Sequence, residues 1–128
     1  MVTVEEYLMG RDKQYPNEFT TELRTNAQDT VSKINELLSA FGETRKVRSG
    51  WRPAAVNAAT LGAAPLSKHM TCQACDLDDL EGDLDQWCFE NRWALENIGL
   101  WQEHPASTKS WTHLQTVAPK SGKRIFYP

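Results

Sequence analysis

Three side chains of this 128-residue chain, His69, Asp76 and His113, offer the nitrogen and oxygen donors from which a hydrolytic zinc site is built. Such a site needs three protein ligands of this type and an open position for water, whose pKa the metal lowers to about 7. His69 and Asp76 lie seven residues apart in Ser67-Lys-His-Met-Thr-Cys-Gln-Ala-Cys-Asp76, a segment that reads as loop leading into strand. Neither sits on an apolar helical face, where a histidine would simply be core. In Trp111-Thr-His-Leu-Gln the residues alternate, so Trp111 and His113 share one face of a strand and Thr112 and Leu114 the other. The third histidine, His104, stands beside Pro105 in a loop. A histidine and an aspartate at this spacing also arise by chance, and surface or capping roles stay open on spacing alone.

Cys72 and Cys75 form a Cys-x-x-Cys, which could be half a zinc site or a redox pair. No second cysteine pair follows to complete a structural zinc site. A thioredoxin-like pair would open a helix, whereas here an alternating stretch leads to Asp76. The three cysteines cannot all pair within one chain, and with no export signal visible in MVTVEEYLMGRD a reduced compartment is the simpler expectation.

The elements that must position these residues are readable from periodicity. Thr3 and Glu6 make a capping box for a short first helix, and a loop from Asp12 to Asn17 with Pro16 ends it. From Thr21 to Phe41 the apolar residues Leu23, Ala27, Val31, Ile34, Leu38 and Phe41 recur at helical spacing, with Gly42 as the stop. Val47 to Trp51 reads as a strand, and Pro53 opens a helical turn from Ala54 to Thr60. After the loop Gly62 to Lys68, Met70 to Leu77 is expected to be extended and Asp78 to Asp83 a turn. A second amphipathic helix, capped by Asp83, carries Leu84, Trp87, Cys88, Asn91, Leu95 and Ile98 and ends at Gly99. Three strands follow: Leu100 to Glu103, Trp111 to Thr116 and Arg124 to Tyr127. Helices come first and strands later, which predicts an α+β fold with a small antiparallel sheet flanked by helices.

The length suits one domain spanning residues 1–128, and apolar and charged fractions of 40% and 24% are those of a globular chain. A net charge of −3, with the basic residues scattered, argues against a nucleic-acid partner. No stretch approaches the roughly 20 apolar residues of a membrane span; Ala54 to Leu66 is broken by Asn57, Thr60 and Pro65. A monomer made in the cytoplasm without a signal peptide is the expectation.

Taken in order, Ser49-Gly-Trp-Arg52-Pro, Asn57, Ser67-Lys-His69, Asp76, Gly99-Leu-Trp-Gln-Glu103, Trp111-Thr-His113-Leu-Gln and Ser121-Gly-Lys-Arg-Ile-Phe closely resemble the zinc D-alanyl-D-alanine carboxypeptidase family. That family includes VanY-like carboxypeptidases, phage L-alanyl-D-glutamate endopeptidases and the hedgehog signalling domain. The resemblance covers nearly the whole chain and is best to short phage and prophage members, whose opening Tyr-Leu-Met-Gly-Arg-Asp matches Tyr7 to Asp12. It implies a hedgehog-type fold and a Zn²⁺ peptidase acting on peptidoglycan stem peptides, as an endolysin released in a phage setting or as part of a virion.

Carried over residue by residue, Ser-x-His-x-x-Gly-x-Ala-x-Asp falls on Ser67, His69, Ala74 and Asp76, and Trp-x-His on His113. The implied metal ligands are therefore His69, Asp76 and His113, with Arg52 steering a substrate carboxylate or carbonyl. The family's glycine is Cys72 here, a costly exchange if φ is positive. Some relatives place the general base three residues before the last histidine, where this chain has Ser110; Glu103, at the end of its own strand, is the better candidate. Ser67 could orient His69 or meet substrate, and Trp51, Trp101 and Trp111 could wall the cleft, while Trp87 and Trp93 are expected in the core. The alternative is a zinc-containing module of the same fold that has lost hydrolysis.

Overall fold

The computed structural model describes residues Met1–Pro128. In chain order the elements are α1 (Val4–Leu8), α2 (Arg11–Gln14), α3 (Thr21–Phe41), β1 (Val47–Ser49), α4 (Ala54–Ala59), β2 (Ala74–Asp78), α5 (Asp83–Glu90), α6 (Arg92–Ile98), β3 (Trp101–Glu103), β4 (Trp111–Gln115) and β5 (Ile125–Phe126), with 3-10 turns at Lys68–Thr71 and Pro105–Ser107. This is the α+β class expected. The five strands run in the order β1-β2-β4-β3-β5. All neighbours are antiparallel except β3 and β5, which pair parallel at one edge.

Local chemistry explains most element ends. The Thr3–Glu6 capping box is present in both directions, and Thr20 caps α3 by accepting from Leu23 N–H. Gly42 ends α3 at φ 96°, a conformation that costs a residue without Cβ little. Along α3 the buried stripe of Ala27, Val31, Ile34 and Leu38, joined by Leu37, packs against the sheet and α1. The core cluster behind the sheet contains 17 buried residues, among them Tyr7, Trp51, Leu77, Leu84, Leu95, Leu100 and Leu114. No helix is long and apolar enough to cross a membrane.

Four local expectations change. Overlapping the predicted loop Asp12 to Asn17, Arg11–Gln14 forms a helical turn that starts from Gly10 in the left-handed conformation. The predicted extended run from Met70 begins instead as the 3-10 turn Lys68–Thr71, because Ser67 accepts from His69 N–H and Cys72 closes the turn at φ 58°. The single helix from Asp83 to Ile98 is two. Asn91 breaks it at φ −122°, ψ 54°, and its side chain donates to Trp87 O. A short polar side chain that bonds the backbone competes with the helix there, while the apolar spacing runs on across the break. The cap of α5 is also not Asp83: the carboxylate of Asp79 accepts from Leu84 and Asp85 N–H at 3.1 and 2.8 Å.

Strand alternation gives the sheet two unlike faces. Cys75, Leu77, Gln102, Thr112 and Leu114 are fully buried towards the helices. Asp76, Glu103, Trp111, His113 and Gln115 point the other way and line an open cleft of about 840 Å³.

Candidate metal and active site

Register brings the chemistry into one row. Ser49 on β1 pairs with Asp76 on β2, and Asp76 pairs with His113 on β4. On β3, Trp101 pairs with Gln115 and Gln102 with Leu114. Continuing that antiparallel register sets Glu103 opposite His113. Strands lie about 4.8 Å apart, so Asp76, His113 and Glu103 occupy neighbouring positions on the cleft face. His69 joins from the 3-10 turn before β2. The ligand atoms of His69, Asp76 and His113 all lie within 4.8 Å of one another.

The hydrogen bonds around the imidazoles decide where their lone pairs point. His69 Nδ1 is 2.8 Å from Gly50 O, an acceptor only, so Nδ1 carries the proton. His69 Nε2 therefore presents a lone pair. It is buried, lies 3.3 Å from Asp76 Oδ1 and has no hydrogen-bond partner. On the other side, Gln115 donates its amide to Val117 O, which turns its Oε1 towards His113 Nε2 at 2.9 Å. That arrangement makes His113 Nε2 the protonated nitrogen when the ring is neutral. His113 Nδ1 then faces Asp76 Oδ1 at 2.8 Å. With His113 neutral, two imidazole lone pairs and a carboxylate oxygen converge on one point and repel one another unless a proton on His113 or a metal cation sits among them. The donor set, two nitrogens and one oxygen, fits zinc, and Gly50 and Gln115 hold the rings as outer partners hold ligating histidines.

By themselves these side chains favour an ionised Asp76 with His113 donating to it. Burial alone would raise the Asp76 carboxyl, but the two imidazoles against it hold it well below the usual carboxylate range. Burial lowers His69 despite Asp76, keeping it neutral and able to ligate. Burial acts downward on His113 as well, yet the bond to Asp76, with help from Gln115 and Glu103, leaves it raised. The Glu103 carboxyl is pushed up by burial, with Asp76 adding and His113 opposing. A carboxylate so placed beside the triad can accept and return a proton.

Arg52 lines the same cleft with only 8% of its surface exposed. Its Nη2 donates to Ser67 Oγ at 3.3 Å, its Nε is buried without a partner, and its backbone N–H donates to His69 O. Ser67 therefore both caps the turn that carries His69 and steadies Arg52.

A family model described as Peptidase M15 matches residues 3–115, which take in every residue of this row as well as Arg52. The chain belongs to the peptidase M15 family. No curated protein and no solved structure matches it. Membership makes the protein a peptidase, a hydrolase of peptide bonds, and a candidate metal triad stands in its cleft.

Several M15 site expectations fall elsewhere. Trp51 is not a cleft wall: it is 1% exposed, packs on Phe19 with ring centroids 5.1 Å apart and donates to Met70 O. That packing and that hydrogen bond hold the ring inward, while Gly50 beside it lets Tyr7 approach so closely that a Cβ would sit 1.8 Å from Tyr7 O. Trp101 lies outside the cleft beneath the Arg124 guanidinium, 4.2 Å from its ring centroid. Trp111 does line the cleft, with Arg48 over its ring. Trp87 packs against the core, whereas Trp93, expected there, is 56% exposed. His104 caps the turn Pro105–Ser107 and stacks on Tyr127, away from the triad.

Cys72 adopts the left-handed φ of 58° that suits a glycine, and its sulfur lies in the core rather than beside the substrate. The strain of a non-glycine residue there is on the order of 1 kcal/mol, which the fold carries without obstructing the cleft. Burial pushes the Cys72 thiol up to about 12 and raises Cys75 as well, so neither forms a thiolate for redox or metal chemistry. Two residues were missed on the sequence. Gln115 shares the face of His113 two residues on, a spacing that could have flagged it. Gly50 acts through its backbone carbonyl, which leaves no side-chain signal.

Proposed function

We propose that this M15 peptidase is a zinc enzyme of one domain, residues 1–128, that acts as a monomer on peptidoglycan stem peptides, with His69, Asp76 and His113 as metal ligands. The observation that carries the proposal is the convergence of His69 Nε2 and His113 Nδ1 on one Asp76 oxygen, at 3.3 and 2.8 Å. A zinc ion held there would supply Lewis acidity towards a carbonyl and an acidified water. Glu103, across the strand from His113, would take the proton from that water and return it to the leaving amine. Arg52 would hold a substrate carboxylate or the developing oxyanion, because its guanidinium is desolvated and incompletely bonded. Ser67 steadies Arg52, and Trp111 offers a flat wall to the peptide.

The stem-peptide substrate rests on resemblance to the short phage and prophage members, and action on the cell wall after release belongs to the same proposal. The non-catalytic alternative loses its main supports, since Cys72 stays out of the cleft and Glu103 supplies the carboxylate that Ser110 cannot. The test is zinc content and muropeptide release measured side by side. Glu103→Gln is expected to keep one zinc and lose cleavage by about 100-fold or more, in the range a general base contributes. His113→Ala is expected to lose both; if it keeps both, the assignment is wrong.

A further inference from the structure

The opening Tyr7 to Asp12 motif has no part in the row of ligands, yet the fold brings its arginine to the same cleft. Met9 and Gly10, both left-handed at φ 57° and 75°, reverse the chain after α1 so that Arg11 begins α2 pointing back at the Gly50–Arg52 segment. Its Nη1 donates to Trp51 O at 2.8 Å, and its side chain lines the cleft with Arg52. Arg11 is thus anchored to the carbonyl of the residue next to Arg52, and both side chains lie on the wall of one cleft. Ion pairs occupy Arg45 and Arg48, but neither Arg11 nor Arg52 has one. Asp76, in the same cleft, is committed to the two imidazoles. Two like charges on the wall of one cleft, one of them nine-tenths buried with its Nε unbonded, are costly unless an anion joins them.

We propose that Arg11 is the second arm of a paired-arginine subsite, so that the cleft selects peptides carrying a free carboxylate beside the scissile bond over their carboxamide counterparts. This rests on the peptidase reading of the cleft. Guanidinium forks match a carboxylate with two parallel N–H bonds, a geometry a carboxamide cannot accept with full charge. Glu103 lines the same cleft and would repel that carboxylate, so the charge pattern orients the peptide: anion to Arg11 and Arg52, amide towards Glu103.

The experiment measures binding of the pentapeptide L-Ala-γ-D-Glu-L-Lys-D-Ala-D-Ala to zinc-loaded Glu103→Gln protein, against two analogues with either the C-terminal or the glutamate α-carboxyl amidated. One amidation should weaken binding by about tenfold, as expected for a lost charge-assisted contact, and thereby identify which carboxylate is held. Adding Arg11→Gln should weaken the free acid by about the same factor, leave that amide within twofold, and keep the zinc content. Arg11→Lys should recover part of the acid preference, and thermal melting of each variant checks the fold. An equal loss on acid and amide, no loss, or no binding of the free acid overturns the inference. Cleavage by the unsubstituted protein is scored separately. A chain that binds acids through Arg11 without cutting them refutes the hydrolase reading alone, and one that cuts them equally well with Arg11→Gln refutes this inference alone.

Discussion

Replacing Gln115 by Leu removes one interaction whose consequence for the metal can be worked out. Gln115 is 5% exposed, accepts from His113 Nε2 at 2.9 Å through Oε1, and is itself oriented by donating to Val117 O at 2.9 Å. Leucine has a similar volume and keeps the packing, but leaves His113 Nε2–H without its acceptor. The ring then loses the bond that directs its Nδ1 at Asp76. Loss of such an outer partner weakens metal affinity by about 10- to 100-fold, or about 1.4–2.8 kcal/mol. In the metal-free protein only ordinary hydrogen bonds go, a cost of about 1–3 kcal/mol partly offset by the buried apolar side chain, so the melting temperature should fall by a few degrees. Competition with a chromophoric chelator reads the zinc affinity, and calorimetry of the metal-free protein reads the fold. Gln115→Glu keeps an acceptor against His113 and should retain at least the original affinity. Were Gln115→Leu to bind zinc within twofold of the unsubstituted chain, Gln115 would not be what orients His113 for the metal.

Gly50→Ala sets a Cβ 1.8 Å from Tyr7 O, so backbone must move; a loss of about 1–3 kcal/mol in stability is expected together with weaker zinc binding, because the carbonyl that anchors His69 moves too. Unchanged melting and unchanged affinity would refute that coupling. Zinc binding should release up to one proton, from His113 and increasingly as pH falls, since its pKa is raised while His69 stays neutral and Asp76 stays ionised. Affinity should then fall about tenfold per pH unit on the acid side of a midpoint above the ordinary histidine value of about 6.5; calorimetric titrations in buffers of different ionisation enthalpy count the protons, and two would show His69 charged as well. All three cysteines are buried and free, and burial raises each thiol, so a thiol reagent should find none in the native protein and three after denaturation. A native thiol that reacts fast would contradict the core placement of Cys72.

What the sequence by itself determined is what local rules write into spacing. The α3 stripe, the Thr3–Glu6 box, the Gly42 stop and the alternation through Trp111 to Gln115 each depend on neighbours within a few residues, and all four appear in the fold. The same locality explains the misses. Nothing in the apolar period marks Asn91 as a break, and a carboxylate four residues away, Asp79, supplies the cap that Asp83 was expected to give. The tryptophans could not be sorted between cleft and core by type, because Trp51 is held inward by Phe19 and by Met70 O, both distant in the chain. Only the tertiary structure decided how the residues named by resemblance come together: the β2–β4 register that sets Asp76 against His113, the β3–β4 register that adds Glu103, and the reversal at Met9 and Gly10 that returns Arg11 to the cleft. Those are pairings between segments tens of residues apart, selected by which faces the whole chain can bury at once, and no window of sequence contains that competition.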